Sequence, residues 1–281
     1  MDAAYRMKRP TDTPIAPVPH GDRVFNTRIR CHSVQSLRQV FIGLASICYV
    51  QRGKKRVHWN SRNLFSGPDE LLLIAPGTEM NVGNLPKGGE YLADMVSIPP
   101  AVIERFRQRY PGQGAQGKPP ASLTTMPHNP DILRAWRYLQ ESLHEQAAPE
   151  LQSQAAESLL LALSLSGPVG ALLQDRSDPM SIRIEQRLHM LPPEQRTLEC
   201  VADAFHCSVS TLRRRLAREQ TGFRRLLDNV QLGQALEQLQ TSSLPIAEIA
   251  ASCGYESASR FSIRFRQHYG LSPSELRQTR Q

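Results

Sequence analysis

A repeat in the last third of the sequence constrains this chain more than any other feature. "LECVADAFHCSVSTLRRRL", residues 198–216, can be laid on "IAEIAASCGYESASRFSIRF", residues 246–265, with one residue inserted in the turn. Leu198 then matches Ile246, Val201 matches Ile249, Ala202 matches Ala250, His206 matches Gly254, and Leu212 and Leu216 match Phe261 and Phe265. Each copy reads as a short apolar helix, a tight turn and a second helix with a polar outer face. The small alanine suits a close helix crossing. The turn position suits a left-handed backbone, which glycine adopts freely and histidine tolerates. This is the pattern of a helix-turn-helix. One copy would say little, because short helical pairs are common; two at a fixed spacing are specific. Between them, "FRRLLDNVQLGQALEQLQTSS" sets Phe223, Leu226, Leu227, Val230, Ala235, Leu236 and Leu239 roughly at helical spacing, so one long helix is expected to hold the units rigidly.

Charge agrees with a polyanionic partner. The formal net charge is +8, and from Ser181 onward there are 14 Arg and no Lys against 10 Asp plus Glu. Arginine's planar fork holds a guanine edge or a phosphate with two hydrogen bonds, which lysine cannot do. An arginine run is more often a solvated face, so the charge alone decides nothing.

The rest of the chain has a different rhythm. Residues 1–20 are proline-rich and read as a mobile arm. From Phe25 to about Ile98, short apolar or alternating runs ("VFIGLASICYV", "KKRVHW", "ELLLIAP", "EYLADMVSI") are separated by Gly and Pro turns, which predicts a small β-barrel or sandwich. Helical periodicity begins at Pro100 with "PAVIERFRQRY" and continues, after the loop "PGQGAQGKPP", over 129–146 and 149–166. The apolar stripes of the last two suit either a dimer seam or packing on the barrel. The expected division is a domain over 21–166, a linker over 167–182 and a helical domain over 183–281, with helix-turn-helix units at about 198–219 and 246–268. The fold class is therefore α+β in two domains.

"LPIAEIAASCGYESASRFSIRFRQHYGLSPSELR" resembles the signature of the AraC/XylS family of bacterial transcription regulators. The matching positions are Ile246–Ala250, Gly254–Tyr255, Ser259–Phe261 and Phe265–Pro273. The likeness covers about residues 183–278. It implies a sequence-specific DNA-binding regulator, an activator by preference, and makes the N-terminal strands similar to the cupin-like effector and dimerisation domain of many members. Implied partners are double-stranded promoter DNA, RNA polymerase, a small-molecule effector and a second copy joined through the N-terminal domain.

Helical rotation of about 100° per residue separates the side chains of the first reading helix. If Leu212 and Leu216 face inward, Arg214 points outward, with Ser210, Thr211, Ala217 and Arg218 along the outer arc and Arg213 and Arg215 on opposite flanks. Arg214 is best placed for a bidentate guanine contact. The flanking arginines suit phosphates, although the family likeness implies base contacts from positions matching Ser210, Arg213 and Arg214. In the second unit Ile263 takes the place of Arg214, where many members carry a polar or basic residue. Outward isoleucine needs a cover, and either a thymine methyl or a neighbouring helix supplies one. The expected base-reading set is Ser210, Thr211, Arg213, Arg214, Ser259, Arg260 and Ile263. The expected phosphate set is Ser208, Arg215, Arg218, Ser257, Arg264, Arg266 and Gln267, with Ser208 and Ser257 first of all N-caps.

No catalytic residue, metal or cofactor is expected. His20, His32 and His58 are isolated, with no HxH pair, and the five cysteines lack CxxC spacing. The barrel interior suits a small apolar or amphipathic ligand; Lys54, Lys55, Arg56 and Lys87 would either attract an anionic one or form a solvated face. The competing reading is a small-molecule-binding or enzymatic cupin with a helical appendage. With no signal core or membrane-length apolar run, the expected location is the cytoplasm, at the nucleoid.

Overall fold

The computed structural model describes residues 23–112, 122–173 and 179–281. The expected arm at 1–20 lies outside them, as do most of the loop at 111–120 and residues 174–178 of the expected linker. The N-terminal half contains strands β1 (Phe25–Cys31), β2 (Gln35–Ile42), β3 (Ala45–Arg52), β4 (Lys54–Trp59), β5 (Arg62–Ser66), β6 (Glu70–Ile74), β7 (Thr78–Leu85), β8 (Tyr91–Ile98) and β9 (Leu123–Pro127), with helices α1 (Pro100–Arg109), α2 (Pro130–His144) and α3 (Pro149–Ser166).

The strands form two antiparallel sheets, a five-stranded one in the order β1-β8-β3-β6-β9 and a four-stranded one in the order β2-β7-β4-β5. The expected small barrel is thus an open pair of sheets, consistent with a cupin-like jelly roll: among the described residues no strand pairing closes the ring. The five-stranded sheet is buried on both faces. Cys48, Val50, Leu72, Ile74, Tyr91 and Ala93 pack with Leu37, Val57 and Val82 of the other sheet. The alternate residues Ala45, Ile47, Leu71, Leu73, Val96 and Ile98 pack with Val102, Phe106, Trp136 and Leu159 of the helices. Double burial explains why "LLLI" is a continuous apolar run rather than an alternating one. "VFIGLASICYV" is not one strand: it breaks after Ile42, and Gly43 lets His189 come close, since a Cβ there would lie 2.6 Å from His189 Nε2. β9, which had no strand signal of its own, completes the sheet edge beside β6.

The C-terminal half is helical: α4 (Met180–Met190), α5 (Leu198–Ala204), α6 (Val209–Arg218), α7 (Phe223–Thr241), α8 (Ile246–Ser252), α9 (Ala258–Tyr269) and α10 (Pro273–Gln278), with a short 3-10 turn at Pro193–Gln195. α4 begins inside the segment expected to be linker.

α7 is the hub. Its polar side chains, which a sequence reading would leave in water, each engage a different element. Asp228 accepts from Arg264 of α9 (2.6 Å), and Asn229 donates to Glu185 of α4 (2.9 Å). Gln234 accepts from Arg196 (2.9 Å), Glu237 from Thr27 of β1 (3.1 Å) and Gln238 from Ser252 of α8 (3.0 Å). Gln240 joins a buried chain that crosses between the halves. Lys55 Nζ donates to Asn84 (2.8 Å), Asn84 donates to Gln35 (2.7 Å), and Gln35 accepts from Gln240 (3.4 Å) and donates to Thr279 (2.9 Å). Buried amides require such partners, because each one left unpaired costs about 1–3 kcal/mol.

The two helix-turn-helix units have different cores. Leu212 and Leu216 join Ile184, Leu188, Val201, Leu226 and Val230 in a cluster built of α4 to α7 alone. Ile249, Phe261, Phe265 and Tyr269 of the second unit belong to the same cluster as the interior of the sheets.

Glu185 sits in the contact between α4 and α7, and burial pushes its carboxyl up to about 8, against the hydrogen bond from Asn229 and the charge of Arg225. The folded state therefore holds the proton more tightly than the unfolded chain, whose value is 4.5. Stability from this group is complete below 4.5 and lost as pH rises through about 8. Urea titrations at pH 5 and pH 8.5 should show wild type losing more stability than Glu185→Gln over that interval.

Candidate nucleic-acid interface

The equivalence of the two turns seen in sequence extends to the backbone. In the first, His206 has φ 49° and Cys207 N–H donates to the Ala202 carbonyl at 3.0 Å. In the second, Gly254 has φ 89° and Tyr255 N–H donates to the Ala250 carbonyl at 2.9 Å. The left-handed residue redirects the chain, and the following N–H returns to the alanine where the helices cross. Ser208 then caps α6, accepting from Thr211 N–H at 3.2 Å, and Ser257 caps α9, accepting from Arg260 N–H at 3.4 Å.

On α6 the inward pair Leu212 and Leu216 is buried, and Ser210, Arg213, Arg214, Arg215, Ala217 and Arg218 are exposed, with Thr211 half-buried. The Ser208 hydroxyl also lies 2.9 Å from the hydroxyls of Ser210 and Thr211, which gathers these three at the N-terminal end of the helix. Among the described residues, Arg213, Arg214, Arg215 and Arg218 form no ion pair, so all four guanidiniums face solvent uncommitted. Glu219, just past the helix, turns away from this face. It accepts from Met180 N–H (2.7 Å) and Ser181 N–H (2.9 Å), capping α4. Burial raises its carboxyl pKa, but the hydrogen bonds from Ser181 and Met180 outweigh burial and leave it below the ordinary value.

α9 is seated on an aromatic ladder. Ring centroids lie 5.3 Å apart for Tyr255 and Phe261, 5.5 Å for Phe261 and Phe265 and 4.7 Å for Phe265 and Tyr269. On its outer side Ser259, Arg260, Arg266 and Gln267 are exposed, and Ile263 is 57% exposed. Neighbouring elements thus cover less than half of Ile263. Arg264, expected on the phosphate side, is held by Asp228 at 2.6 Å, which keeps its guanidinium more firmly charged than usual. Arg224, one turn before Asp228, approaches the same carboxylate at 3.4 Å. Arg266 lies 3.6 Å from Glu275 of α10. The Arg224–Asp228–Arg264 group escaped the sequence reading, although the i, i+4 spacing of Arg224 and Asp228 on one helix was available as a signal. α6 thus presents four free arginines, whereas on α9 Arg264 and Arg266 are tethered and Arg260 is free, around an exposed isoleucine.

Residues 31–163 match the family described as the AraC-like ligand binding domain, and residues 201–279 match the helix-turn-helix domain family. The chain is 34% identical over 153 residues to the urease operon transcriptional activator of Escherichia coli, covering 50% of this chain and 52% of that protein. It is 29% identical over 182 residues to the ornithine utilization regulator of Pseudomonas aeruginosa, covering 64% of this chain and 48% of that protein. The chain thus spans about half the length of the curated relatives it matches. In fold it is similar to ToxT from Vibrio cholerae O395, solved bound to (E)-4-(8-methylnaphthalen-1-yl)but-3-enoic acid, with a TM-score of 0.66 at 12% identity, covering 92% of this chain and all of that one.

The turn geometry carries a test. Gly254→Ala forces a side chain into a left-handed backbone, with its Cβ 2.8 Å from Gln231 Nε2, and should cost about 1–2 kcal/mol. His206→Gly relieves strain but frees the unfolded chain, so stability should stay within about 0.5 kcal/mol. Chemical denaturation of the two variants checks both.

Proposed function

Because the chain belongs to the AraC/XylS family of transcription regulators, we propose that it binds promoter DNA in two adjacent segments of the major groove, α6 reading one and α9 the other. The observation that carries this is the row of uncommitted, exposed arginines on α6, directly opposite a buried leucine pair. Arg214 is the principal reader, with Arg213, Ser210 and Thr211 beside it; Arg215 and Arg218 hold phosphates, and Ser208 adds its helix N-terminus. α9 contributes differently. Ile263 covers a thymine methyl, flanked by Ser259 and Arg260. Arg266, Gln267 and the cap at Ser257 meet the backbone, and Arg264 does so only with the part of its guanidinium that Asp228 leaves open. Most hydrogen-bonded readout therefore belongs to the first unit.

Around this reading stand the partners it requires. The regulator acts as an activator in contact with RNA polymerase and responds to a small molecule in its N-terminal half. The exposed Tyr138, Leu151 and Leu165 on α2 and α3 support a seam for a second copy. Both units sit in one chain, so a monomer can span two successive grooves, about 34 Å apart, and the second copy is not needed for binding. Among the described residues no helix is long and apolar enough to cross a membrane.

The test begins with genome-wide occupancy mapping, followed by titration of a bound promoter fragment. Arg214→Ala should cost about 1–3 kcal/mol on the cognate site and relax selectivity at one base pair. Arg215→Ala should weaken cognate and random DNA alike and lower the salt slope by about one. If both variants lose only salt-dependent, sequence-independent affinity, the division of roles is wrong. Ile263→Ala should matter only on sites that place a thymine opposite it, and exchanging that thymine for uracil should reproduce the loss.

A further inference from the structure

Where the two halves meet, a cavity of about 130 Å³ opens between β1, β2 and β8 on one side and α4 and α7 on the other. A cavity of about 150 Å³ accommodates a benzene ring, so the space suits a ligand one ring in size. Its wall is mostly apolar, with Phe25, Phe41, Met95, Met190 and Leu236 prominent. Among the described residues no lysine or arginine lines it.

Several polar groups on the wall already have partners. Ser46 and Ser97 hydrogen-bond one another at 2.9 Å, Gln234 is taken by Arg196, and Gln240 by Gln35. His189 lies against Gly43. Glu237 accepts one hydrogen bond, from Thr27 to Oε1, and its Oε2 accepts none among the described residues. Burial raises the carboxyl's pKa, and the Thr27 hydrogen bond opposes that only in part. Glu237 is half-buried on a mostly apolar wall that carries no lysine or arginine, so its second oxygen is open to a donor from a ligand.

Gly233, one turn before Glu237 on α7, gives the second observation. Glycine is disfavoured within a helix. A glycine is usually kept in a helix because another element approaches closely, but at Gly233 no other element comes within 4 Å of where a Cβ would stand. What glycine preserves at this position is volume in the cavity.

We infer that this interdomain cavity binds a small primary amine carried on a single ring or a short apolar body, its ammonium donating to Glu237 and its body filling the space beside Gly233. This deepens, and rests on, the reading of the chain as a ligand-responsive regulator. It separates the chain from its structural neighbour ToxT, which was solved with a carboxylic acid bound, because a carboxylate would meet Glu237 with no lysine or arginine on the wall to offset it. The ligand would touch β1, β2 and β8 of one half and α7 of the other, and α7 joins the two reading units.

Titration calorimetry of the full chain with benzylamine, benzyl alcohol and benzoate tests this. Benzylamine should bind saturably and at least tenfold more tightly than the other two. Glu237→Gln should erase that preference, and Gly233→Leu, which fills the cavity and favours the helix, should abolish binding of all three. Equal or tighter binding of benzoate, a preference that survives Glu237→Gln, binding that survives Gly233→Leu, or no saturable binding of any probe overturns the inference. Promoter binding measured on the same preparation separates the failures. Selective DNA binding without amine binding sinks only this inference, and absence of selective DNA binding sinks the regulator reading.

Discussion

The structure depends on a helix whose polar residues are spent on other elements. Along α7, Asp228, Asn229, Gln234, Glu237, Gln238 and Gln240 reach α9, α4, the turn before α5, β1, α8 and β2 in turn. Apolar burial alone would let this helix slide or rotate, since leucine packing is only loosely directional. Hydrogen bonds to fixed partners on several sides do not allow that. They set the angular position of the helix, and with it where α6 and α9 stand relative to each other and to the sheets.

How much of this was legible in sequence followed from the kind of signal each part carries. The repeated alanine, left-handed turn residue and apolar pair are local, and both units fell where their residues put them. The outward projection of Arg214 followed from helical rotation alone. The open pair of sheets was harder, because a barrel and a sandwich draw on the same alternating strands and differ only in whether edges meet. β9, LTTMP, is no shorter than β6 but lacks its continuous apolar run, so nothing local marks it as a strand beside β6. The fates of Arg264 and Glu219 were not legible: one exposed-looking arginine and one exposed-looking glutamate are claimed by Asp228 and by the start of α4, both distant in sequence.

On the proposed function, α6 and α9 show how one scaffold divides labour. α6 carries unpaired arginines at an interface kept clear of acidic neighbours, because Glu219 is drawn back to cap α4. α9 keeps arginines too, but Asp228 and Glu275 each hold one, and an isoleucine occupies the central position. Free guanidiniums can reorient to the base edge before them; tethered ones contribute charge at a set place. The first arrangement favours discrimination and the second favours anchoring.

The split of the apolar cores has a consequence for how such a protein can change over generations. The underside of α9 shares its cluster with the interior of the sheets, so a substitution there must satisfy both the seating of the helix and the packing of the sheets. The underside of α6 belongs to a core of helices only. A lineage seeking a new target sequence can therefore explore α6 with little risk to the sheets, while α9 stays bound to the architecture around it. The sequence repeat suggests two interchangeable copies, but inheritance would treat one as adjustable and the other as foundation.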